Sequence, residues 1–164
     1  KANLFSGTIE ENIRFGNREA TMEVVVHAAK VAQAYDFIME KPGQFQERIV
    51  EGAGNVSGGQ KQRLSIARAL VRHADIYIYD DSFSALDFRT DAKLRKELKK
   101  EMTDEIVLIV AQRVSTIMDA DQIIVLDEGK VVGKGTHKEL LKTCGVYHEI
   151  AASQLSEEEL QNVR

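Results

Sequence analysis

The chain has 164 residues, enough for one cored domain, and its 43% hydrophobic and 29% charged residues are ordinary for a soluble globular protein. Lys plus Arg is 22 and Asp plus Glu is 26, a formal net charge of −4 that gives no reason to expect nucleic acid as a ligand. The single cysteine, Cys144, excludes an internal disulfide and a cysteine-based zinc site, and no window approaches eighteen consecutive apolar residues.

In chain order, Lys1 to Gly16 reads as a turn and a short helix, with Thr8 as N-cap, Glu11 completing a capping box and Gly16 as the stop. Thr21 to Tyr35 carries Val24, Val25, Ala28, Val31, Ala32 and Tyr35 at helical spacing behind a Thr cap. His27, beside that stripe, reads as a packed or exposed histidine. Asp36 to Met39 is a second short helix, ended by Lys41-Pro42-Gly43, and Phe45 to Asn55 reads as a glycine-containing loop.

Ser57 with Gln60 makes another capping box, ahead of a helix carrying Leu64, Ala67 and Leu70. A helix that opens Ser-Gly-Gly presents bare N–H groups, a small hydroxyl and the positive end of a dipole, which suits an anion. Ile76 to Tyr79 then reads as a short buried strand delivering Asp80 and Asp81 at its carboxyl end, the arrangement of a magnesium-nucleotide site. Alone, either stretch could be an ordinary capped helix or a solvated turn. Their order and spacing argue otherwise.

After Asp87 comes a charged helix with a thin apolar stripe of Leu94 and Leu98, read as a solvated face. Glu105 to Val110 is a continuous apolar run, expected to be a strand covered on both faces. Gln122 to Leu126 is a further strand, turning at Glu128-Gly129 into Lys130 to Gly133. Thr136 and Glu139 form a third capping box on a helix running through Leu141, with His137 a helix-start residue. Another helix follows Gly145, and Leu155 to Arg164 is expected to fray. A phosphate-loop pattern, Gly-x-x-x-x-Gly-Lys-Ser/Thr, does not occur in the chain.

Val56-Ser57-Gly58-Gly59-Gln60 resembles the signature sequence of ATP-binding-cassette (ABC) transporters. Ile76 to Asp81 is similar to their Walker B strand, Ser84-Ala85-Leu86-Asp87 to their D-loop, and Ala111 to Thr116 to their switch loop. Glu51 resembles the acidic residue of an exporter's X-loop, although Gly52 and Ala53 depart from the usual Arg-Gly. The resemblance implies an α/β fold: an incomplete P-loop NTPase (RecA-like) ABC ATPase domain with a helical subdomain. Residues 1–16 would follow the Q-loop and receive a coupling helix, 17–73 would be the helical subdomain, 74–152 the core portion and 153–164 a tail. The phosphate loop is expected upstream of Lys1, and the sheet is expected to be incomplete, with exposed edges or a covering partner.

The resemblance further implies ATP and Mg2+ as ligands, a second nucleotide-binding domain in a head-to-tail dimer, and transmembrane domains as partners at the cytoplasmic face of the membrane. Val56, Ser57, Gly58, Gly59, Gln60 and Asp87 would face nucleotide or the dimer seam, and Asp80 would hold magnesium. Asp81 stands where the family has the Glu that polarises water, and Gln112 stands where it has His. The shorter carboxylate and an amide that cannot become cationic near neutral pH both point to the degenerate half of a heterodimeric exporter. The alternatives are a fully competent exporter ATPase and, in isolation, an inert interaction fragment; a DNA-clamping ATPase is disfavoured because no long heptad coiled coil occurs.

Overall fold

The computed structural model describes residues 2–50 and 54–161, in two units that divide after Val110. Glu51, Gly52 and Ala53, and with them the X-loop expectation, lie outside the described residues.

In the first unit, β1 (Gly7–Thr8) leads into α1 (Ile9–Arg14) through the expected capping box: the Thr8 hydroxyl accepts the Glu11 N–H at 3.0 Å and Glu11 accepts the Thr8 N–H at 2.7 Å. The helix stops where expected, with Phe15 as C-cap and Gly16 directly after it. A Cβ at Gly16 would lie 1.9 Å from the Arg68 carbonyl oxygen, so glycine is what lets this corner close. The buried Asn12 amide stitches the same corner. It donates to the Phe5 and Thr8 carbonyls and accepts from the Phe5 N–H and the Arg68 guanidinium.

Helix α2 (Met22–Val31) starts at its Thr21 cap but stops short of Tyr35, because Gln33 takes a left-handed φ of 56°. Tyr35 instead opens α3 (Tyr35–Met39). The expected loop over 45–55 contains a 3-10 turn (Gln44–Gln46) and β2 (Arg48–Ile49), which pairs antiparallel with β1. Two residues show no alternation from which a strand could be read; Ile49, 2% exposed, anchors the pair. Helix α4 (Gly58–Leu70) buries Leu64, Ile66, Ala67 and Leu70 against α1 and α2.

Strand β3 (Ile76–Asp80) pairs in parallel with β4 (Ile106–Val110), from Ile76 opposite Ile106 to Asp80 opposite Val110. Here the sequence expectation needs correcting, because neither strand is covered on both faces. Tyr77 and Tyr79 are buried, whereas Ile76, Ile78, Ile106, Leu108 and Val110 are exposed. The apolar run encodes a two-sided strand, but among the described residues this sheet has only two strands. The incomplete parallel sheet is thus as expected. Helix α5 (Phe88–Glu101) follows the Asp87 N-cap and buries Leu94 and Leu98; its charged face is not wholly solvated, since Asp91 is buried and paired with Arg95 at 3.3 Å.

The second unit holds α6 (Val114–Ile117), the hairpin β5 (Ile123–Asp127) and β6 (Lys130–Gly135), then α7 (His137–Thr143), α8 (Gly145–Ala152) and α9 (Glu157–Gln161). Glu128 and Gly129 both have positive φ, the conformation that joins strands through a two-residue turn, and a bulge lies between Val125 and Leu126. The Thr136–Glu139 capping box forms as expected. Residues 157–161 are helical where fraying was expected; Leu155 and Leu160 pack on this unit's core of Val114, Ile123, Val125, Leu140, Cys144, Tyr147 and Ala151.

His137, the first residue of α7, is buried with its Nδ1 2.7 Å from the Tyr147 hydroxyl. Burial lowers the imidazole below its ordinary value and pushes the phenol up to about 12. The folded chain therefore resists protonating this ring, while the unfolded chain takes up a proton below about pH 6.5. Stability is expected to be unaffected by this group above that pH and to fall as the pH drops through it. Urea unfolding on either side of that pH checks this, and the slope should flatten in His137→Gln.

Candidate functional site

The first turn of α4 is built around its cap. The Ser57 hydroxyl accepts the Gln60 N–H at 3.2 Å, and the Gln60 side chain accepts the Ser57 N–H at 3.0 Å. Val56 is buried and anchors the turn from below, while Ser57 and Gly58 are exposed and Gly59 and Gln60 half-buried. The Gly58 and Gly59 N–H groups are the first amides of the helix and have no intrahelical acceptor. Together with the Ser57 O–H they form a small group of donors at a dipole's positive end. Asn55 fixes the approach, donating to the Arg48 carbonyl at 2.7 Å and accepting from the Val50 N–H.

At the carboxyl end of β3, Asp80 and Asp81 are both exposed. Asp81 has a left-handed φ of 51°, which costs a non-glycine residue on the order of 1–2 kcal/mol and which Asp tolerates better than most. Its N–H donates to the Val110 carbonyl at 3.0 Å. The Ser84 hydroxyl stands 3.1 Å from both the carbonyl and the carboxylate of Asp81, so the short acid bends back onto its own turn. The loop is also joined to α4 through Gln62, which donates to the Asp81 carbonyl and to Ser84 Oγ and accepts the Ala85 N–H.

Asp87 closes the loop as the N-cap of α5. Its carboxylate accepts the Thr90 hydroxyl at 2.7 Å and the Thr90 N–H at 2.9 Å, and these bonds, the hydroxyl's first, hold it below the usual carboxylate range. The structure therefore brings residues 57–60, Asp81 and the D-loop together within one unit. Gln112 belongs to the second unit, exposed in a bend. Gln154 fixes that bend by donating to the Gln112 carbonyl and accepting the Val114 N–H, both at 2.9 Å. Sequence reasoning passed over Gln62 and Gln154, since side-chain bonds to distant backbone carry no local pattern.

Among the described residues no group of three or more His, Cys, Asp or Glu could enclose a metal. A single exposed carboxylate at Asp80 nonetheless suits magnesium, which binds through one or two carboxylates and completes its shell with water and substrate phosphates.

The protein-family model described as ABC transporter matches residues 1–84. An uncharacterized ABC transporter ATP-binding protein of Mycobacterium tuberculosis (strain ATCC 25618 / H37Rv) is 46% identical over 154 residues, 92% of this chain and 26% of that protein. The YfiB ABC transporter ATP-binding protein of Bacillus subtilis (strain 168) is 44% identical over 155 residues, 94% of this chain and 27% of that one. A solved structure of a bacterial Atm1-family ABC exporter with ATP bound superposes with a TM-score of 0.90 at 38% identity, covering 94% of this chain and 27% of that one. The chain spans about a quarter of the length of these relatives.

Proposed function

Because the chain belongs to the ABC transporter family, we propose that it serves as one ATP-binding half of a heterodimeric exporter, lending its signature turn to the partner's nucleotide and keeping a slow site of its own. The observation that carries this is the α4 tip, where Ser57 and Gly58 are exposed and the first two helix amides have no intrahelical acceptor. In that role the Ser57 O–H and the two glycine amides donate to phosphate oxygens of a nucleotide held by the second domain, in a head-to-tail pair. Val56 and Gln60 hold the turn, and Asp87 stands at the seam between the two sites.

On the chain's own side, Asp80 would take magnesium, which supplies charge compensation on the phosphate oxygens. Asp81 would orient the attacking water. Its missing methylene shortens its reach by about 1.5 Å, and a 1 Å error can cost on the order of 10²-fold. The Ser84 bond supports this, since it draws the carboxylate toward the loop. Gln112 could donate a hydrogen bond to phosphate but carry no positive charge. The remaining partners would be transmembrane domains, with coupling helices contacting residues 1–16 at the cytoplasmic face of the membrane; among the described residues no helix is long and apolar enough to cross one.

The test is ATP hydrolysis by the assembled transporter carrying Ser57→Arg or Asp81→Ala. A much larger loss from the first supports the division of labour, and equal losses count against it.

A further inference from the structure

The motifs of the site are four short stretches, yet one side chain outside the glycine tip joins two of them. Gln62 lies half-buried one turn into α4. Its Nε2 donates to the Asp81 carbonyl at 3.1 Å and to Ser84 Oγ at 3.1 Å, and its Oε1 accepts the Ala85 N–H at 3.0 Å. A backbone N–H can only donate, so Ala85 fixes which end of the amide faces which neighbour. Both amide protons are used, and all three partners belong to the loop between β3 and α5.

The two glycines beside it are packed on the same loop. A Cβ at Gly59 would lie 3.0 Å from the Ala85 carbonyl oxygen and 3.5 Å from Leu86 Cδ2, and one at Gly58 would lie 3.6 Å from Ala85 Cβ. One side of the signature turn therefore rests on the D-loop of its own chain, with Gln62 as the hydrogen-bonded brace. The loop is anchored in turn by the Asp81 N–H on Val110 of β4.

We propose that Gln62 is a positioning residue, bracing the signature turn against the Asp81–Ala85 loop so that the Ser57, Gly58 and Gly59 donors are placed by that loop and follow its displacements. This rests on the reading of the α4 tip as a phosphate site for the partner's nucleotide. It adds that the tip is not an independent helix end but is set by the segment that carries the chain's own acid.

The experiment uses the assembled transporter with ATP as probe, reading kcat, KM and melting temperature. Gln62→Glu keeps the acceptor facing Ala85 but removes both donors at nearly constant volume; Gln62→Leu removes all three bonds. For Gln62→Glu the expected result is a kcat lower by about tenfold, the rate equivalent of about 1.4 kcal/mol, with KM unchanged and the melting temperature lowered by no more than a few degrees. Because the effect runs through the donors, Gln62→Glu combined with Ser57→Ala should cost no more than the larger single change. An unchanged kcat, a loss seen only as a lowered melting temperature, or fully additive losses would each overturn the proposal. Ser57→Arg separates the two ideas. If it abolishes hydrolysis while Gln62→Glu is silent, the brace fails alone; if it leaves hydrolysis intact, the trans reading of the signature fails.

Discussion

In the assembled transporter, Ser57→Arg is expected to reduce ATP hydrolysis by about 10²-fold or more, the loss seen when a preorganised donor to developing charge is removed. The substitution acts in two ways. It removes the hydroxyl from the N-cap, which costs about 1 kcal/mol of helix stability, and it places a long cation where the phosphate oxygens must approach. The helix itself should survive, since Leu64, Ile66, Ala67 and Leu70 remain buried against the neighbouring helices. Nucleotide binding to the chain's own side should therefore persist while turnover collapses. Asp81→Ala removes a carboxylate already drawn toward Ser84, and its loss should be far smaller. Steady-state phosphate release from both variants, beside the unaltered complex, is the measurement.

The converse substitution should gain activity. Asp81→Glu combined with Gln112→His restores the missing methylene and a ring that can become cationic near neutral pH. With the partner chain's own acid substituted so that only this site reports, single-turnover hydrolysis is expected to rise by on the order of 10²-fold, the inverse of a roughly 1 Å misplacement. The left-handed φ at residue 81 offsets little of that gain, because Gln62, Ser84 and Val110 hold this backbone whatever side chain it carries. No gain would contradict the reading of Asp81 and Gln112 as the cause of a slow site.

Much of this arrangement could be read from the chain because its key features are local. The capping boxes at Thr8, Ser57 and Thr136 are four-residue patterns, and each forms as read. The Asp80–Asp81 tip follows from an apolar strand ending in acids. What escaped depends on contacts between distant segments or on single backbone angles. Gln33 breaks a helix by adopting positive φ, against the helical spacing of the residues around it. The β1–β2 pair is too short to show alternation. Gly16 is required by the Arg68 carbonyl, 52 positions away in sequence. Gln62 and Gln154 look like any polar residue on or after a helix until the loops they hold are in place. The exposed faces of β3 and β4 show the limit from the other side, since an apolar run encodes a cover that these residues alone do not supply.

This helix tip is expected to complete a phosphate site on another polypeptide. A structure of the assembled transporter trapped with a non-hydrolysable ATP analogue tests it most directly. The terminal phosphate held by the partner domain should lie within hydrogen-bonding distance of the Ser57 hydroxyl and the Gly58 and Gly59 amides. A terminal phosphate bound in the partner but remote from residues 57–60 of this chain would contradict it.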